Sequence, residues 1–315
     1  MITSLTEEQK AAMPRYVEKW INVGINTDRL DYDRTVDIIH AVQEKLLKRA
    51  KTPVIIVDDP FEAWVGCNFA IQGTSVADLP KAIDSYFDGS NKIHLEMFSM
   101  PWLCGSFDAS MFSFYDYMQT ELKIDFEDST EEYEIWKSTS ELGCIFPLDN
   151  VCFVSQKPTT IKINEDRVIH CDGGPAMEYA GRGNIRIFML NAVRVPEWLA
   201  VEKSTEIDIS KLKTLTNADQ KAEFIRKVGV ERLLSEGKKI DTYEKYDIDW
   251  WTRSEYELWD MANLFEGVEY APHLKMLNQT TGVWHVEGVS PTCRTLKDAI
   301  TDRLGVDNIN IKGIA

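Results

Sequence analysis

The chain has 315 residues, of which 44% are hydrophobic and 27% are charged, and its formal net charge is −16. This balance is typical of a folded globular protein and argues against intrinsic disorder, while the length suits one large domain or two ordinary ones. Because an acidic surface repels phosphate backbones, we expect a protein partner in preference to nucleic acid.

The N-terminal part is predicted to be mainly helical. Thr6 and Gln9 form a capping box ahead of apolar residues at helical spacing. Pro14 interrupts that spacing, so we expect the first helix to start or kink there. A second helix is predicted over residues 32–50, with basic side chains in its last turn.

A short buried strand is predicted at Val54–Val57, closed by a turn and followed by a helix from Phe61. Asp58 and Asp59 follow this strand directly, at the end where α/β proteins often bind ligands, and two carboxylates there are candidate ligands for Mg²⁺. The alternative is an Asx turn before Pro60. No phosphate-binding loop or dinucleotide fingerprint follows the strand, so no cofactor is expected.

The middle of the chain is rich in aromatic residues. A largely buried helix is predicted from apolar residues at helical spacing, which are Phe107, Met111, Phe114, Tyr115 and Met118. Ser129 and Glu132 form a second capping box, which predicts a helix to about residue 142. Cys104, close to Asp108, is interpreted as a buried core cysteine rather than a nucleophile, since no nucleophile elbow surrounds it.

From residue 151 the pattern changes to short strands and turns, which predicts a central antiparallel β-meander up to residue 195. Helices are predicted at 217–228, 230–235 and 295–304, and strands at 256–261, 273–279 and 283–286. The predicted fold class is therefore α+β, with a mainly helical part at 1–148 and a β-meander plus mixed part at 149–315, packed as one unit.

The six cysteines form no C-x-x-C pair and fit no zinc-binding spacing. The first residues do not have the pattern of a signal peptide, and no apolar run approaches the length of a membrane span. A cytoplasmic location with free thiols and no membrane association is therefore expected.

The segment "HCDGGPA" is the main candidate for chemistry. In an extended segment His170 and Asp172 point to one face and Cys171 to the other, so an aspartate-oriented imidazole is one interpretation. Arg194 is a candidate to bind an anionic group beside them. The alternative is a β-turn in which Asp172 caps backbone N–H groups and the glycines adopt positive φ.

This segment also resembles a known family. "VIHCDGGPAMEY" followed by "NAVRVPEW" is similar to the pattern "LHxxDGPAxxY … WHGxxVPEW" of a bacterial and phage-associated family described only as a domain of unknown function. Similarity extends over nearly the whole chain, and it implies a bacterial or phage-infected host cell but no known reaction. The chain departs from the family at Leu190-Asn191-Ala192, where the family has Trp-His-Gly, and at Phe146, where it has Trp.

Two functional hypotheses follow. The first is a non-enzymatic interaction or structural protein, associated with a phage or mobile element, since no strong catalytic constellation is present. The second is a hydrolase- or transferase-like enzyme in which His170 acts as acid or base, with Asp172 and Arg194 beside it. Trp250-Trp251 is a further candidate, either as an exposed contact patch or as part of the core.

Overall fold

A computed structural model describes residues 4–91, 93–95, 103–246, 253–278 and 281–304. The chain divides into two compact units, Met1–Ala192 and Val193–Ala315. Helices and mainly antiparallel sheets occur in separate stretches of the sequence, so the predicted α+β class is confirmed. No helix in the described part of the chain is long and apolar enough to span a membrane.

The first unit begins with helices and continues with short strands. Its helices are α1 (Glu7–Gly24), α2 (Tyr32–Ala41), α3 (Pro60–Ile71), α4 (Leu79–Phe87), α5 (Ala109–Thr120) and α6 (Thr130–Ser138). A π-helical turn at Val42–Leu46 extends α2, and a 3₁₀ turn at Gly105–Asp108 leads into α5. Its strands are β1 (Val54–Val57), β2 (Ile145–Pro147), β3 (Cys152–Ser155), β4 (Thr160–Ile161), β5 (Met177–Glu178), β6 (Arg186–Ile187) and β7 (Met189–Leu190).

A three-stranded sheet of order β1-β3-β2 forms the centre of this unit. Strand β3 pairs in parallel with β1, Val54 opposite Cys152, and antiparallel with β2. Successive side chains of β3 enter two different cores, since Phe153 packs with α3 whereas Val154 packs with α2. Burial on both faces explains why these strands are continuous apolar runs rather than alternating ones.

The second unit contains a four-stranded antiparallel sheet of order β12-β11-β10-β9. The strands of this unit are β8 (Val193–Arg194), β9 (Lys238–Tyr246), β10 (Arg253–Asp260), β11 (Pro272–Asn278) and β12 (Val283–Gly288). Its helices are α7 (Glu197–Val201), α8 (Ala218–Val228), α9 (Val230–Leu234) and α10 (Leu296–Leu304). Leu258 and Leu274 from the sheet pack against Ile300 of α10 to form its core. Strand β9 was not predicted, because this edge strand is mostly polar.

Two of the predicted helices differ from the structure. The capping box of Thr6 and Gln9 is confirmed, but Pro14 lies inside α1 and neither begins nor ends it. Packing of Trp20 on Phe112 of α5 supports the helix despite the hydrogen bond that proline removes. The second helix ends earlier than residue 50, since its last π-helical turn closes before Lys48, which has a left-handed φ of 52°.

The prediction of a second capping box, formed by Ser129 and Glu132, is wrong. Ser129 occupies the N-cap position of α6 but its side chain accepts no backbone hydrogen bond there. Residues Glu127–Ser129 form a 3₁₀ turn, so Ser129 has φ −90° and ψ 0° instead of the extended conformation that an N-cap needs.

The meander is shorter than predicted. Because β3 joins β1, the antiparallel part begins only at β4, and β4, β5 and β6 form a small separate sheet. The stretch around Ile169 contributes an isolated bridge to Ile163 in place of a strand. The pairing of β3 with β1 also ties residues beyond 148 to the helical part, and the compact units divide after Ala192.

Candidate functional site

The "HCDGGPA" segment is held by hydrogen bonds from its own surroundings. The backbone N–H of His170 donates to the Lys162 carbonyl at 3.0 Å, and that of Cys171 donates to the Met189 carbonyl at 2.9 Å. The imidazole Nδ1 of His170 accepts the backbone N–H of Asn191 at 3.0 Å. One ring nitrogen is therefore already used to fix a neighbouring turn, which is the bracing role expected of a structural histidine.

Asp172 and Gly173 form an exposed turn, as the β-turn interpretation predicts. Gly173 has a left-handed φ of 99°, which favours glycine at this position. Gly174 is different, since its φ is not positive and the nearest atom to an added Cβ is Cys171 Sγ at 3.8 Å. Only the first of the two glycines is thus required by backbone conformation.

Arg194 belongs to the second compact unit, whereas His170 and Asp172 belong to the first. The Arg194 side chain is exposed on β8, and its carbonyl accepts Gln220 Nε2 at 2.9 Å. A site formed by all three residues therefore stays a prediction.

The two aspartates after β1 have different surroundings. Asp58 is half exposed and forms an ion pair with Arg29 at 2.7 Å. Asp59 is fully buried and caps α3, with Oδ1 accepting the Glu62 N–H at 2.8 Å. In place of the predicted Asx turn before Pro60, Asp59 forms an N-cap, since its Oδ1 accepts the N–H three residues along the chain. The described residues contain no group of three or more His, Cys, Asp and Glu side chains placed to hold a metal ion.

Asp59 and Glu62 together anchor a distant loop. Asp59 Oδ2 accepts the Gly183 N–H at 2.7 Å, and Glu62 Oε1 accepts the Arg182 N–H, also at 2.7 Å. The guanidinium of Arg182 also contacts Glu62 and bonds Asp84 Oδ1 at 2.8 Å. These buried carboxylates therefore stabilise the loop after β5, a role that the sequence did not reveal.

Cys104 does not have the electrostatics of a nucleophile. Burial and the neighbouring carboxylate of Asp108 raise the pKa of its thiol. A raised pKa keeps the sulfur protonated and unreactive at neutral pH.

The Trp250-Trp251 pair, which the sequence offered as an exposed contact patch or as part of the core, lies outside the described residues.

Helix α5 differs most from expectation. It is packed through Phe112 and Tyr117, while Phe107, Met111 and Phe114 are 39%, 46% and 61% exposed. The prediction that these three residues are buried is therefore wrong. Met111 and Phe114 lie three residues apart on one face of α5, and Phe107 lies in the 3₁₀ turn that leads into this helix. We call Phe107, Met111 and Phe114 the α5 ridge.

An apolar groove runs beside this ridge. It has a volume of about 280 Å³, and its walls come from α1, the start of α5 and the segment around β4. Six of its lining residues define it here as the α1–α5 groove: Val17, Ile21, Phe107, Ser110, Ile163 and Ile169. Phe107 belongs to both the groove and the ridge, so the two features meet at this residue, and Val17 of the groove is 50% exposed.

Arg167 adds a polar group to the groove. Its terminal nitrogens are engaged, since one donates to Asn22 Oδ1 at 2.6 Å and the other lies 3.7 Å from Glu18. Its Nε atom is buried and has no hydrogen-bond partner among the described residues. A buried donor without an acceptor is costly, so a ligand oxygen that reached it would be stabilised.

The sequence contained only part of the signal for this surface. Apolar residues at helical spacing were visible in α1 and α5, but amphipathic spacing does not show which face of a helix is packed and which is exposed. The α1–α5 groove also needs residues 161–169, which are distant in sequence from both helices.

Comparisons with known proteins identify no relative of this chain. No family model matches it, and neither the curated proteins nor the solved structures contain a match.

Proposed function

We propose that this chain is a non-enzymatic interaction protein that binds another protein through the α5 ridge and the α1–α5 groove. The observation that carries the proposal is the exposure of three large apolar side chains, two on one face of α5 and one in the turn before it, beside an apolar groove. Contiguous apolar surface is costly in water, and in folded proteins it marks interaction sites.

The exposed apolar residues are concentrated at this surface. Seven large apolar side chains are exposed in the described part of the first unit. Five of these seven belong to α1 or to the segment leading through α5: Met13, Val17, Phe107, Met111 and Phe114. Single exposed apolar side chains scattered over a protein surface are normal. A group of exposed apolar side chains on two helices that pack together indicates an interaction site.

The partner segment that fits best is an amphipathic helix with basic side chains beside its apolar face. Grooves between helices take such helices by inserting apolar anchors at helical spacing. The first unit contains 18 basic and 30 acidic residues, a formal net charge of −12, which attracts a basic partner segment. An oxygen of the inserted segment would also supply the acceptor that Arg167 Nε lacks.

The alternatives are less well supported. Net negative charge disfavours nucleic acid as a partner. An enzyme site at "HCDGGPA" would need His170 as an acid or a base, whereas its Nδ1 accepts a backbone N–H, which places the proton of the neutral ring on Nε2 and leaves neither nitrogen available as a base. The cell type, a bacterium or a phage-infected host, rests on the motif resemblance alone, and a cytoplasmic location rests on the six free cysteines.

The test is quantitative co-purification with the Phe114→Glu variant. Phe114 is 61% exposed, so a charge there should leave folding intact while it places an unpaired carboxylate in the interface. Ile71→Glu is the matched control, since Ile71 is 55% exposed at the end of α3, outside the ridge and groove. We expect one partner to be lost with Phe114→Glu and retained with Ile71→Glu.

The recovered partner is then examined for a basic amphipathic helix, and that peptide is titrated against both variants. Binding of the peptide to Ile71→Glu, weakened about tenfold or more by Phe114→Glu, supports the proposal. Equal binding of the peptide to the two variants would place the interaction elsewhere and overturn it.

A further inference from the structure

Four aromatic rings meet in the first unit, on a different set of side chains from the α5 ridge. Tyr115 comes from α5, Phe126 precedes the 3₁₀ turn at Glu127–Ser129, and Tyr133 and Trp136 come from α6. Tyr115 lies between 5.7 and 6.2 Å from each of the other three ring centroids, and Phe126 lies 5.0 Å from Tyr133. We call these four residues the aromatic box.

The box lines an open cavity of about 490 Å³. Neighbouring rings are steeply inclined, with an interplanar angle of 79° between Tyr115 and Phe126 and 64° between Tyr115 and Trp136. Rings inclined in this way form adjoining walls of the cavity, whereas parallel rings would form a flat stack. Trp136 also packs on the fully buried Phe112, with ring centroids 4.8 Å apart, and this contact holds the orientation of its ring.

The charge around the cavity is negative. Among the described residues that line it, Glu132 is the one charged residue, and its side chain is 47% exposed. The surrounding segment, residues 121–134, contains seven acidic residues and one lysine. Glu132 is paired with Lys48 at 3.0 Å, but both partners are largely exposed, so this ion pair contributes little and exchanges readily.

Ring faces carry the negative end of a quadrupole, so a cation is attracted to the centre of several aromatic rings. Tyr133 already shows this attraction, since Lys137 Nζ lies 5.0 Å from its ring centroid. Among the described residues that line the cavity there is no lysine or arginine, so no cationic side chain of the cavity wall competes for the ring faces. A methylated ammonium suits them best, because it is less strongly hydrated than a primary one.

We propose that the aromatic box binds an organic cation with a quaternary ammonium group, held by the ring faces and by the carboxylate of Glu132. This site uses other residues than the proposed partner surface, although Phe114 of the ridge adjoins Tyr115 of the box, with ring centroids 5.8 Å apart. The same trimethylammonium chemistry occurs in small choline-like molecules and in trimethyl-lysine side chains of proteins.

The experiment measures binding of choline to the intact chain by calorimetry. The control ligand is the neutral carbon isostere of choline, in which a tert-butyl group replaces the trimethylammonium group. We expect choline to bind about tenfold more tightly than this isostere. The two molecules have the same shape, and only choline carries the positive charge that the ring faces attract. A second arm replaces choline with a short peptide containing trimethyl-lysine, which distinguishes a small molecule from a modified protein as the source.

Two variants locate the site. Trp136→Leu should weaken binding of the cation about tenfold, with Trp136→Phe intermediate, since Trp is the strongest of the ring types for this contact. Trp64→Leu is the matched control, because Trp64 is a half-buried tryptophan in α3 that belongs to a different aromatic cluster with Phe61. Thermal melts of all three variants confirm that they are folded.

The proposal is supported if either cation binds, the neutral isostere binds more weakly, and Trp136→Phe retains part of the affinity that Trp136→Leu loses. It is overturned if neither cation binds the native chain or if the isostere binds equally well. Loss of affinity in Trp64→Leu equal to that in Trp136→Leu would overturn it as well.

Discussion

The buried carboxylate of Asp59 accepts the backbone N–H of Gly183 at 2.7 Å, although the two residues are 124 positions apart in the sequence. The other carboxylate oxygen caps α3 at Glu62. One side chain thus fixes both the start of a helix and a remote loop, which makes this contact sensitive to small changes in shape.

A methyl group at position 183 should be destabilising for this reason. In Gly183→Ala the new Cβ would lie 2.7 Å from Asp59 Oδ1 and 2.8 Å from Phe61 Cβ, so the loop must move and the hydrogen bond must lengthen. We expect a loss of about 2 kcal/mol in the free energy of unfolding, measured by urea denaturation. Gly174→Ala is the control and should change stability by less than about 0.5 kcal/mol. Equal effects of the two substitutions would argue against the Asp59 anchor.

Stability should fall in acid partly through Asp116, which accepts hydrogen bonds from Lys19 Nζ at 2.6 Å and Trp20 Nε1 at 3.0 Å. Burial alone raises the pKa of Asp116, but the hydrogen bonds from Lys19 and Trp20 outweigh it, and the pKa lies below its ordinary value. A carboxyl group with a lowered folded-state pKa stabilises the fold above its unfolded pKa, and this contribution disappears as pH falls through the folded pKa.

Asp116→Asn should therefore lower stability at neutral pH and flatten the loss of stability below about pH 4. Urea denaturation of both proteins at neutral and acid pH measures this difference. Lys19→Ala should produce part of the same flattening, because it removes one of the groups that lower the pKa. A pH dependence that is identical in native chain and Asp116→Asn would contradict the assignment.

The turn at Asn191 and Ala192 should be improved by glycine. Both residues have left-handed φ values, 47° and 65°, a combination typical of a type I′ turn, in which Asn-Gly is preferred. Alanine pays a steric cost there that glycine avoids. We expect Ala192→Gly to raise the free energy of unfolding by about 0.5–1 kcal/mol. A decrease in the thermal midpoint of this variant would show that the strain is absent.

The cysteines should differ in reactivity. Burial raises the pKa of Cys67 and of Cys144 to about 12, which keeps both thiols protonated and out of reach of reagents. Cys171 is half-buried, and Lys162 Nζ lies 3.6 Å from its sulfur. Brief alkylation of the native chain followed by peptide mass spectrometry should find Cys171 modified before Cys67 and Cys144. Early modification of Cys67 would mean that α3 opens readily.

Local signals predicted much of the fold. The apolar run Val54–Val57 predicted β1, and the turn signal that follows it predicted a helix close to the start of α3, because burial and turn chemistry act over a few residues. Pairing of β3 with β1 was not predictable, since parallel neighbours are joined by contacts distant in sequence. The buried "CFVS" run was therefore assigned to a meander that in the structure begins only at β4.

The candidate surface was harder to predict than the fold. Phe107, Met111 and Phe114 have the spacing of a core-facing helix, and only the packing of Phe112 against Trp20 shows that the opposite face is the buried one. Sequence spacing identifies an apolar face but does not show what covers it. At "HCDGGPA" the sequence left a catalytic and a structural interpretation open, and the hydrogen bond from Asn191 to His170 supports the structural one.

The most direct test of the proposed function is site-specific photo-crosslinking in cells, with the photoreactive residue placed at Phe114 and, in a parallel strain, at Ile71. A probe at a true interface reacts with the partner that covers it, whereas an exposed probe elsewhere reacts mainly with water. We predict one dominant protein adduct from position 114, through a basic helical segment of the partner, and none above background from position 71. The same adducts from both positions, or no protein adduct from position 114, would contradict the account.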